Sequence, residues 1–163
     1  MVEFGVWGAE VASSSLACPT TSRYNMMKKC GIIDATKLTI HDPVRPNIPD
    51  WWRVRDGFTE MYKLGDPWDA CICVAFCEEI PRSEFRLLNS PKPGSNAIFY
   101  TVWSRRKGAG REIILEGLSL LKSRAKRFVT LSPKTEEAKR FHLRNGAVLL
   151  RENLTTNNFE YGV

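Results

Sequence analysis

The spacing of apolar residues divides the second half of the chain into strands and helices. The apolar runs 69–80 and 96–104 are rich in β-branched and aromatic residues, which predicts two buried strands. Residues 127–132 predict a third strand, and residues 147–153 and 158–163 predict two more around a turn. Because the last two segments are so close in sequence, they are expected to form an antiparallel hairpin.

Two predicted helices alternate with these strands. The apolar stripe of the first helix is formed by Ile113, Ile114, Gly117, Leu118 and Leu121. The second helix is expected to begin with Ser132 as N-cap and Pro133 as its first residue, and to end at Asn145-Gly146. The order strand–helix–strand implies that 96–103 and 127–132 pair in parallel.

The first 65 residues carry weaker patterns. Residues 1–12 alternate weakly and predict a strand, and residues 20–32 predict a short helix with Gly31 past its end. Three prolines within 42–50 predict a loop, and residues 51–65 predict a helix that ends at Gly65. The segment 83–89 has no clear pattern. Together the elements predict one α/β domain over residues 1–163, with a mixed β-sheet flanked by helices.

The composition is that of an ordinary globular domain. The chain has 163 residues, of which 43% are hydrophobic and 26% charged. No apolar run approaches the roughly 20 residues that cross a bilayer, and the first ten residues lack the basic and apolar regions of a signal peptide. We therefore expect a cytoplasmic protein without a membrane partner.

The five cysteines are expected to be reduced thiols. Cys71, Cys73 and Cys77 lie in one predicted strand and share one of its faces, which is a poor disulfide framework. A zinc site there would need a fourth ligand, and His41 and His142 are the two histidines of the chain. We predict buried cysteines and no metal.

The net charge of +6 is concentrated in one stretch, residues 105–127. Its cations are Arg105, Arg106, Lys107, Arg111, Lys122, Arg124, Lys126 and Arg127. Such a field favours a phosphorylated cofactor, a nucleic acid or an acidic protein as partner. We interpret 122–127 as a solvated face, whereas 105–107 run directly into Gly108-Ala109-Gly110.

A glycine-rich turn between a strand and a helix is typical of a phosphate site. Glycine lets backbone N–H groups approach the phosphate closely, and the helix start adds unpaired N–H donors and the positive end of its dipole. The P-loop pattern is absent, and the dinucleotide pattern G-x-G-x-x-G fails because Ile113 stands at its third glycine. The remaining pattern is R-x-x-G-x-G, at residues 105–110.

In this context, the pattern resembles the pyrophosphate-binding motif of the GNAT superfamily of acyl-CoA-dependent N-acetyltransferases. The stretch "TEEAKRFHLRNGA" is similar to the family's second signature, with Ala138, Phe141 and Gly146 at matching positions. The resemblance covers roughly residues 70–163, and residues 1–65 do not align. This chain has Thr135 where the family usually has Asn, His142 for Tyr and Ala147 for Phe.

The resemblance implies acetyl-CoA as acyl donor and an amine as acceptor. It places the cofactor-binding residues at Tyr100, Val102, Arg105, Arg106, Lys107, Gly108, Ala109, Gly110, Arg111 and Thr135. His142 is the expected proton donor to the leaving thiolate, because imidazole can donate a proton near neutral pH. Strand 96–104 has no carboxylate, so no general base is assigned; Glu78, Glu79 and Glu84 are the nearest in sequence.

Two alternatives stay open at the level of the sequence. One is a basic nucleic-acid-binding module that uses residues 105–127 and exposed aromatic side chains. The other is a catalytically inactive GNAT fold that acts as an interaction protein. The class of the acceptor, which includes anionic and nucleic-acid-linked amines, and a homodimeric assembly also stay open.

Overall fold

The structure is a computed structural model, and it describes residues 26–89 and 92–163. The strand predicted at 1–12 and the start of the helix predicted at 20–32 lie outside these residues. The strands are β1 (Lys28–Lys29), β2 (Thr59–Leu64), β3 (Ala70–Cys77), β4 (Asn96–Ser104), β5 (Arg127–Thr130), β6 (Ser132–Pro133), β7 (Ala147–Glu152) and β8 (Thr156–Tyr161). The helices are α1 (Ile32–Thr39), α2 (Asp50–Arg53), α3 (Glu84–Asn89), α4 (Ala109–Leu121) and α5 (Glu136–Arg144).

One eight-stranded mixed sheet organises the described chain. Its order is β1-β2-β3-β4-β5-β8, and both β6 and β7 pair with β8. Strands β4 and β5 are parallel, from Asn96 beside Arg127 to Phe99 beside Thr130, which confirms the predicted crossover. The predicted hairpin is confirmed by β7 and β8, which are antiparallel. The mixed α/β sheet flanked by helices is therefore the predicted fold class.

Each face of the sheet carries its own hydrophobic core. On one face, α4 packs over β2, β3 and β4 and α5 packs against β6 and β7, and the predicted apolar stripe of α4 is buried. Gly117 faces the ring of Phe99 on β4, and a Cβ added there would make an ordinary contact at 3.5 Å. The opposite face packs against α1, α2 and α3, and there Cys71, Cys73 and Cys77 are buried free thiols, as predicted.

The predicted helix at 20–32 is wrong where the structure describes it. Lys28 and Lys29 form the edge strand β1, opposite Lys63 and Tyr62 of β2. Gly31 precedes a helix instead of following one, because α1 begins at Ile32. Both lysines are exposed, as is common for an edge strand that must not pair with another chain.

The predicted helix at 51–65 is also wrong, since it is a short helix followed by a strand. Helix α2 ends at Arg53, and Gly57 has φ +73°, a left-handed turn that breaks the helical pattern. Residues 59–64 then pair with β3 as strand β2 and are almost wholly buried. The sequence of β2, TEMYKL, mixes polar and apolar residues without the alternation that distinguishes a strand from a helix, because both faces of the strand are buried.

The start of α5 also differs from the prediction. Ser132 and Pro133 pair with Asn157 and Thr156 as strand β6, so they are not the helix start. The N-cap is Thr135, whose Oγ1 accepts a hydrogen bond of 3.2 Å from the backbone N–H of Ala138. Segment 83–89, which had no clear pattern, contains helix α3. Within residues 26–89 and 92–163, no helix is long and apolar enough to cross a membrane.

Candidate functional site

A β-bulge interrupts β4 at Tyr100. Cys73 of β3 pairs with Thr101 and Val74 pairs with Phe99, so Tyr100 is the extra residue of β4. The bulge turns two consecutive side chains to the face of α1 and α2. The Tyr100 ring packs edge-on against Trp52 at 5.5 Å, and the Thr101 hydroxyl donates to Asp42 Oδ1 at 3.0 Å.

Strands β4 and β5 separate at this bulge. Their pairing ends at Phe99 and Thr130, and the last hydrogen bond runs from Leu131 N–H to Phe99 C=O at 3.0 Å. We call this point the fork. Beyond it, residues 100–104 of β4 have no β5 partner, which leaves a strand edge to which an extended ligand can bind through backbone hydrogen bonds.

The glycine-rich segment, residues 105–111, joins the end of β4 to α4, and we call it the phosphate turn. Gly108 has φ +79° and is the N-cap of α4, so its backbone conformation favours glycine. Glu112 N–H donates to Gly108 C=O at 3.1 Å, which closes the first helical turn. At Gly110 an added Cβ would meet Phe141 and Ser104 at 3.6 Å, an ordinary contact, so the steric requirement for glycine rests on Gly108.

The cations of the phosphate turn have different surroundings. Arg106 Nε lies 3.1 Å from Asp69 and its Nη2 lies 2.8 Å from Glu112, so this side chain ties the turn to the β2–β3 connection and to the first turn of α4. The guanidinium of Arg105 stacks on Trp68, 4.6 Å from the ring centroid. Lys107 and Arg111 are exposed. Lys107 and Arg111 are therefore the cations best placed to contact a phosphate.

The basic stretch 105–127 is partly neutralised by the fold. Besides Arg106, Arg124 forms a bidentate pair with Glu60 at 2.9 and 3.0 Å. Arg127 forms a bidentate pair with Glu160, with both distances at 2.8 Å. Each pair lowers the positive potential that a nucleic acid would meet, which weakens the electrostatic argument for a nucleic-acid module.

His142 is fully buried between α5 and the β7–β8 hairpin. Its ring stacks on Phe159 at 5.1 Å, and Nδ1 lies 2.7 Å from the Tyr161 hydroxyl. Burial lowers the pKa of His142 to about 3. The neutral imidazole therefore predominates at neutral pH. A proton donated to the thiolate would have to come from the N–H of this neutral ring, which is a weaker acid than an imidazolium.

The other predicted site residues are placed by their backbone. The side chains of Tyr100 and Val102 are buried in opposite cores, so their contribution to a ligand on the β4 edge is through backbone groups. The Tyr100 C=O already accepts a hydrogen bond of 2.7 Å from Arg45 Nε. Ala109 is fully buried, and its N–H already donates to Arg106 C=O at 3.1 Å. Thr135 lies at the start of α5, where its Oγ1 caps the helix.

A buried polar network beside the fork was missed by the sequence analysis. It comes from the proline-rich loop 42–50 and α2. Asp42 Oδ2 accepts from Arg53 Nη1 at 2.6 Å, and its Oδ1 accepts from the backbone N–H groups of Val44 and Arg45. Arg53 has no solvent exposure and lies over Trp103. Three prolines predict a loop but do not reveal which of its polar side chains become buried.

Among the three carboxylates considered for a base, Glu84 lies nearest the fork. Its Oε2 is 3.7 Å from Nη1 of Arg45, which itself reaches the fork. Glu78 and Glu79 instead line a cleft of about 850 Å³ at the N-terminal ends of β4 and β5, away from the phosphate turn. Among residues 26–89 and 92–163, no cluster of His, Cys, Asp or Glu could hold a metal ion.

Comparisons with solved structures show the same architecture. The loading GNATL domain of CurA from Lyngbya majuscula matches at a TM-score of 0.63 and 13% identity, covering 85% of this chain and 98% of that one. The PaiA N-acetyltransferase from Thermoplasma acidophilum, in complex with coenzyme A, matches at 0.57 and 13% identity, covering 84% and 98%.

Malonyl-CoA decarboxylase from Agrobacterium vitis matches at a TM-score of 0.59 and 17% identity, covering 70% of this chain. The matched region spans 34% of the length of that decarboxylase. No protein-family model matches the chain, and no curated protein sequence matches it either. The structural matches and the geometry of β4 and α4 together show that this chain has a GNAT-like fold.

Proposed function

We propose that this protein is an acyl-CoA-dependent N-acyltransferase that moves an acetyl group from acetyl-CoA to an amine. The proposal rests on two features that occur together on strand β4. Strand β4 bulges and leaves β5 at Tyr100, and it then leads into the left-handed Gly108 that begins α4. One feature suits an extended thioester chain and the other suits a pyrophosphate.

The residues present fit coenzyme A along this path. The start of α4 offers backbone N–H groups and the positive end of the helix dipole to the pyrophosphate, with Lys107 and Arg111 beside it. The β4 edge from Thr101 to Ser104 would hold the pantetheine arm through backbone hydrogen bonds, because the Tyr100 C=O already accepts one from Arg45. The thioester would then lie at the fork, where an amine could reach it.

The transfer needs a neutral amine, a stabilised oxyanion and a proton for the leaving thiolate. The amine nitrogen forms a bond to the thioester carbon, the C–S bond breaks, and the nitrogen loses one proton while the sulfur gains one. Backbone N–H groups at the bulge are suited to the oxyanion, because they are fixed in place before the reaction. A free amine with a pKa near about 10 must first lose a proton to a base or to water.

Reversing the charge of Arg111 is expected to weaken coenzyme A binding. In Arg111→Glu the carboxylate would face the pyrophosphate at the start of α4, and we expect the dissociation constant to rise about 10- to 30-fold. Isothermal titration calorimetry with coenzyme A measures this. The matched control is Lys126→Glu, the same charge change on an exposed lysine beyond the other end of α4, which should bind like the parent. Equal affinities for both variants would remove the phosphate turn from the site.

The role of His142 as proton donor stays a prediction and has its own test. If His142 protonates the thiolate, His142→Phe should lower kcat about 100-fold with little change in coenzyme A affinity. His142→Tyr should then keep much of the activity, because a phenol can also donate a proton. Thiol release at saturating acetyl-CoA is the measurement. Parental rates in both folded variants would leave solvent as the proton source and His142 as a packing residue.

A further inference from the structure

Arg45 places a buried cation at the fork itself. It comes from the loop between α1 and α2, and 7% of its side chain is exposed. Its Nε donates to Tyr100 C=O at 2.7 Å, and its Nη2 donates to Leu131 C=O, also at 2.7 Å. One edge of the guanidinium therefore bridges the two strands at the point where they separate.

The partners of this edge are neutral, and the nearby carboxylates do not hydrogen-bond the guanidinium. Asp42 binds Arg53 at 2.6 Å and directs its other oxygen to Thr101 and to backbone N–H groups. Glu84 lies 3.7 Å from Arg45 Nη1, beyond hydrogen-bond distance, and 40% of its side chain is exposed. Among the described residues, Nη1 of Arg45 thus has a nearby charge but no hydrogen-bonded anion.

A guanidinium in these surroundings is suited to bind an incoming anion. Burial lowers the pKa of Arg45, yet an arginine stays protonated in proteins, so the group keeps its charge. A buried charge without a hydrogen-bonded counter-ion is costly, and a carboxylate that docks on Nη1 would offset that cost. The carbonyls of Tyr100 and Leu131 already fix the orientation of the Arg45 guanidinium, so little side-chain freedom is lost when an anion binds.

The direction of approach assigns the anion to the acceptor. Helices α2 and α3 pack on the face of the sheet opposite α4, whereas the phosphate turn opens α4 on the other face. Glu84, the first residue of α3, therefore approaches Nη1 of Arg45 from the face opposite α4. We propose that Arg45 binds a carboxylate of the acceptor at the fork, displacing Glu84. The acceptor class is then an amino acid or a similar molecule that carries a carboxylate close to its amine. This inference rests on the proposed function.

The test uses a product analogue in two forms that differ in charge. N-acetylglycine carries the carboxylate, and N-acetylglycinamide replaces it with a neutral amide. Titrated into the ¹⁵N-labelled protein, the acid is expected to shift the backbone amides of Arg45, Thr101 and Leu131, and the neutral probe is expected to leave them unchanged. Equal responses to the two probes, or shifts confined to the phosphate turn, would overturn the proposal.

Variants of the charged groups sharpen the test. Arg45→Gln should abolish the response, but it also removes two hydrogen bonds at the fork, so Glu84→Gln serves as the variant that keeps the fold. It removes a competing anion at a half-exposed position, and we expect N-acetylglycine to bind roughly threefold more tightly. The matched control is Glu79→Gln, an exposed glutamate in the cleft, which should leave the affinity unchanged. Identical affinities for the two glutamate variants would count against the proposal.

A separate coenzyme A titration distinguishes failure of the acceptor inference from failure of the proposed function. Binding of coenzyme A without any discrimination between the charged and neutral probes would reject the acceptor inference and leave the proposed function standing. Failure to bind coenzyme A would reject the proposed function itself. In turnover assays, tyrosine and lysine should be better acceptors than tyramine and cadaverine, which lack the α-carboxylate and are otherwise the same. A preference for the decarboxylated amines would contradict the role of Arg45.

Discussion

Replacing Arg53 by methionine is expected to lower the free energy of unfolding by about 3–5 kcal/mol. The side chain is fully buried and donates to Asp42 at 2.6 Å and to the carbonyl groups of Arg45 and Ile48. Methionine can fill much of the volume, but it leaves the Asp42 carboxylate buried and without its cation. The penalty for this unpaired charge exceeds the cost of lost packing.

Chemical denaturation of the purified variants measures this effect. The matched control is Arg55→Met, two residues along, where the arginine is exposed and stacks on Phe58; it should change stability by less than about 1 kcal/mol. The double variant Asp42→Leu with Arg53→Met should recover part of the loss, because it removes both charges. An Arg53→Met protein as stable as the Arg55→Met control would show that the buried pair does not hold the loop against the fork.

Acidification is expected to destabilise the protein through His142 and Glu60. Burial lowers the pKa of His142 from 6.5 to about 3. Below pH 6.5, His142 therefore binds a proton in the unfolded chain but not in the folded chain. The free energy of unfolding falls as the pH drops from 6.5 towards 3. For this one group the slope reaches about 1.4 kcal/mol per pH unit.

Glu60 extends the loss to lower pH. Burial opposes its ionisation, but hydrogen bonds from Arg124, Tyr62 and Lys29 outweigh that effect and lower the pKa from 4.5 to about 2. Its stabilising contribution is therefore complete above pH 4.5 and is lost as the pH falls towards 2. Urea unfolding at a series of pH values measures both groups. His142→Gln should flatten the curve between pH 6 and 4, and Glu60→Gln should flatten it below pH 4.5; unchanged slopes would contradict these assignments.

The sequence predicted the strands that form long apolar runs and the helix that follows the glycine-rich turn. Strands β3 and β4 read as uninterrupted apolar segments, and the apolar stripe of α4 follows directly after the left-handed Gly108. These signals are local, so a single sequence contains them. The two wrong helices, at 20–32 and 51–65, cover strand residues that lack a local signal for different reasons. Strand β1 has two residues and pairs with β2, far along the chain. Strand β2 pairs with β3, its neighbour in sequence, but it is buried on both faces and shows no apolar–polar alternation.

Only part of the candidate site could be predicted from the sequence. The phosphate turn is contiguous, and its glycines and cations could be read in order. The fork was not, because it depends on a bulge at Tyr100, on the end of β5 and on Arg45, which lies 55 residues earlier in the chain. Neither the burial of Arg45 nor the pairing of Arg106 with Asp69 and Glu112 follows from residue type. Only the packed structure distinguishes cations available to a ligand from cations that hold the fold.

The proposed function requires coenzyme A to bind between the fork and the phosphate turn. Its most direct test is a titration of the ¹⁵N-labelled protein with coenzyme A, followed through the backbone amide resonances. We expect saturable one-to-one binding with the largest shifts at residues 100–102 and 108–112. Absence of binding, or largest shifts around Arg82 and Arg151 in the cleft at the other end of β4, would contradict it.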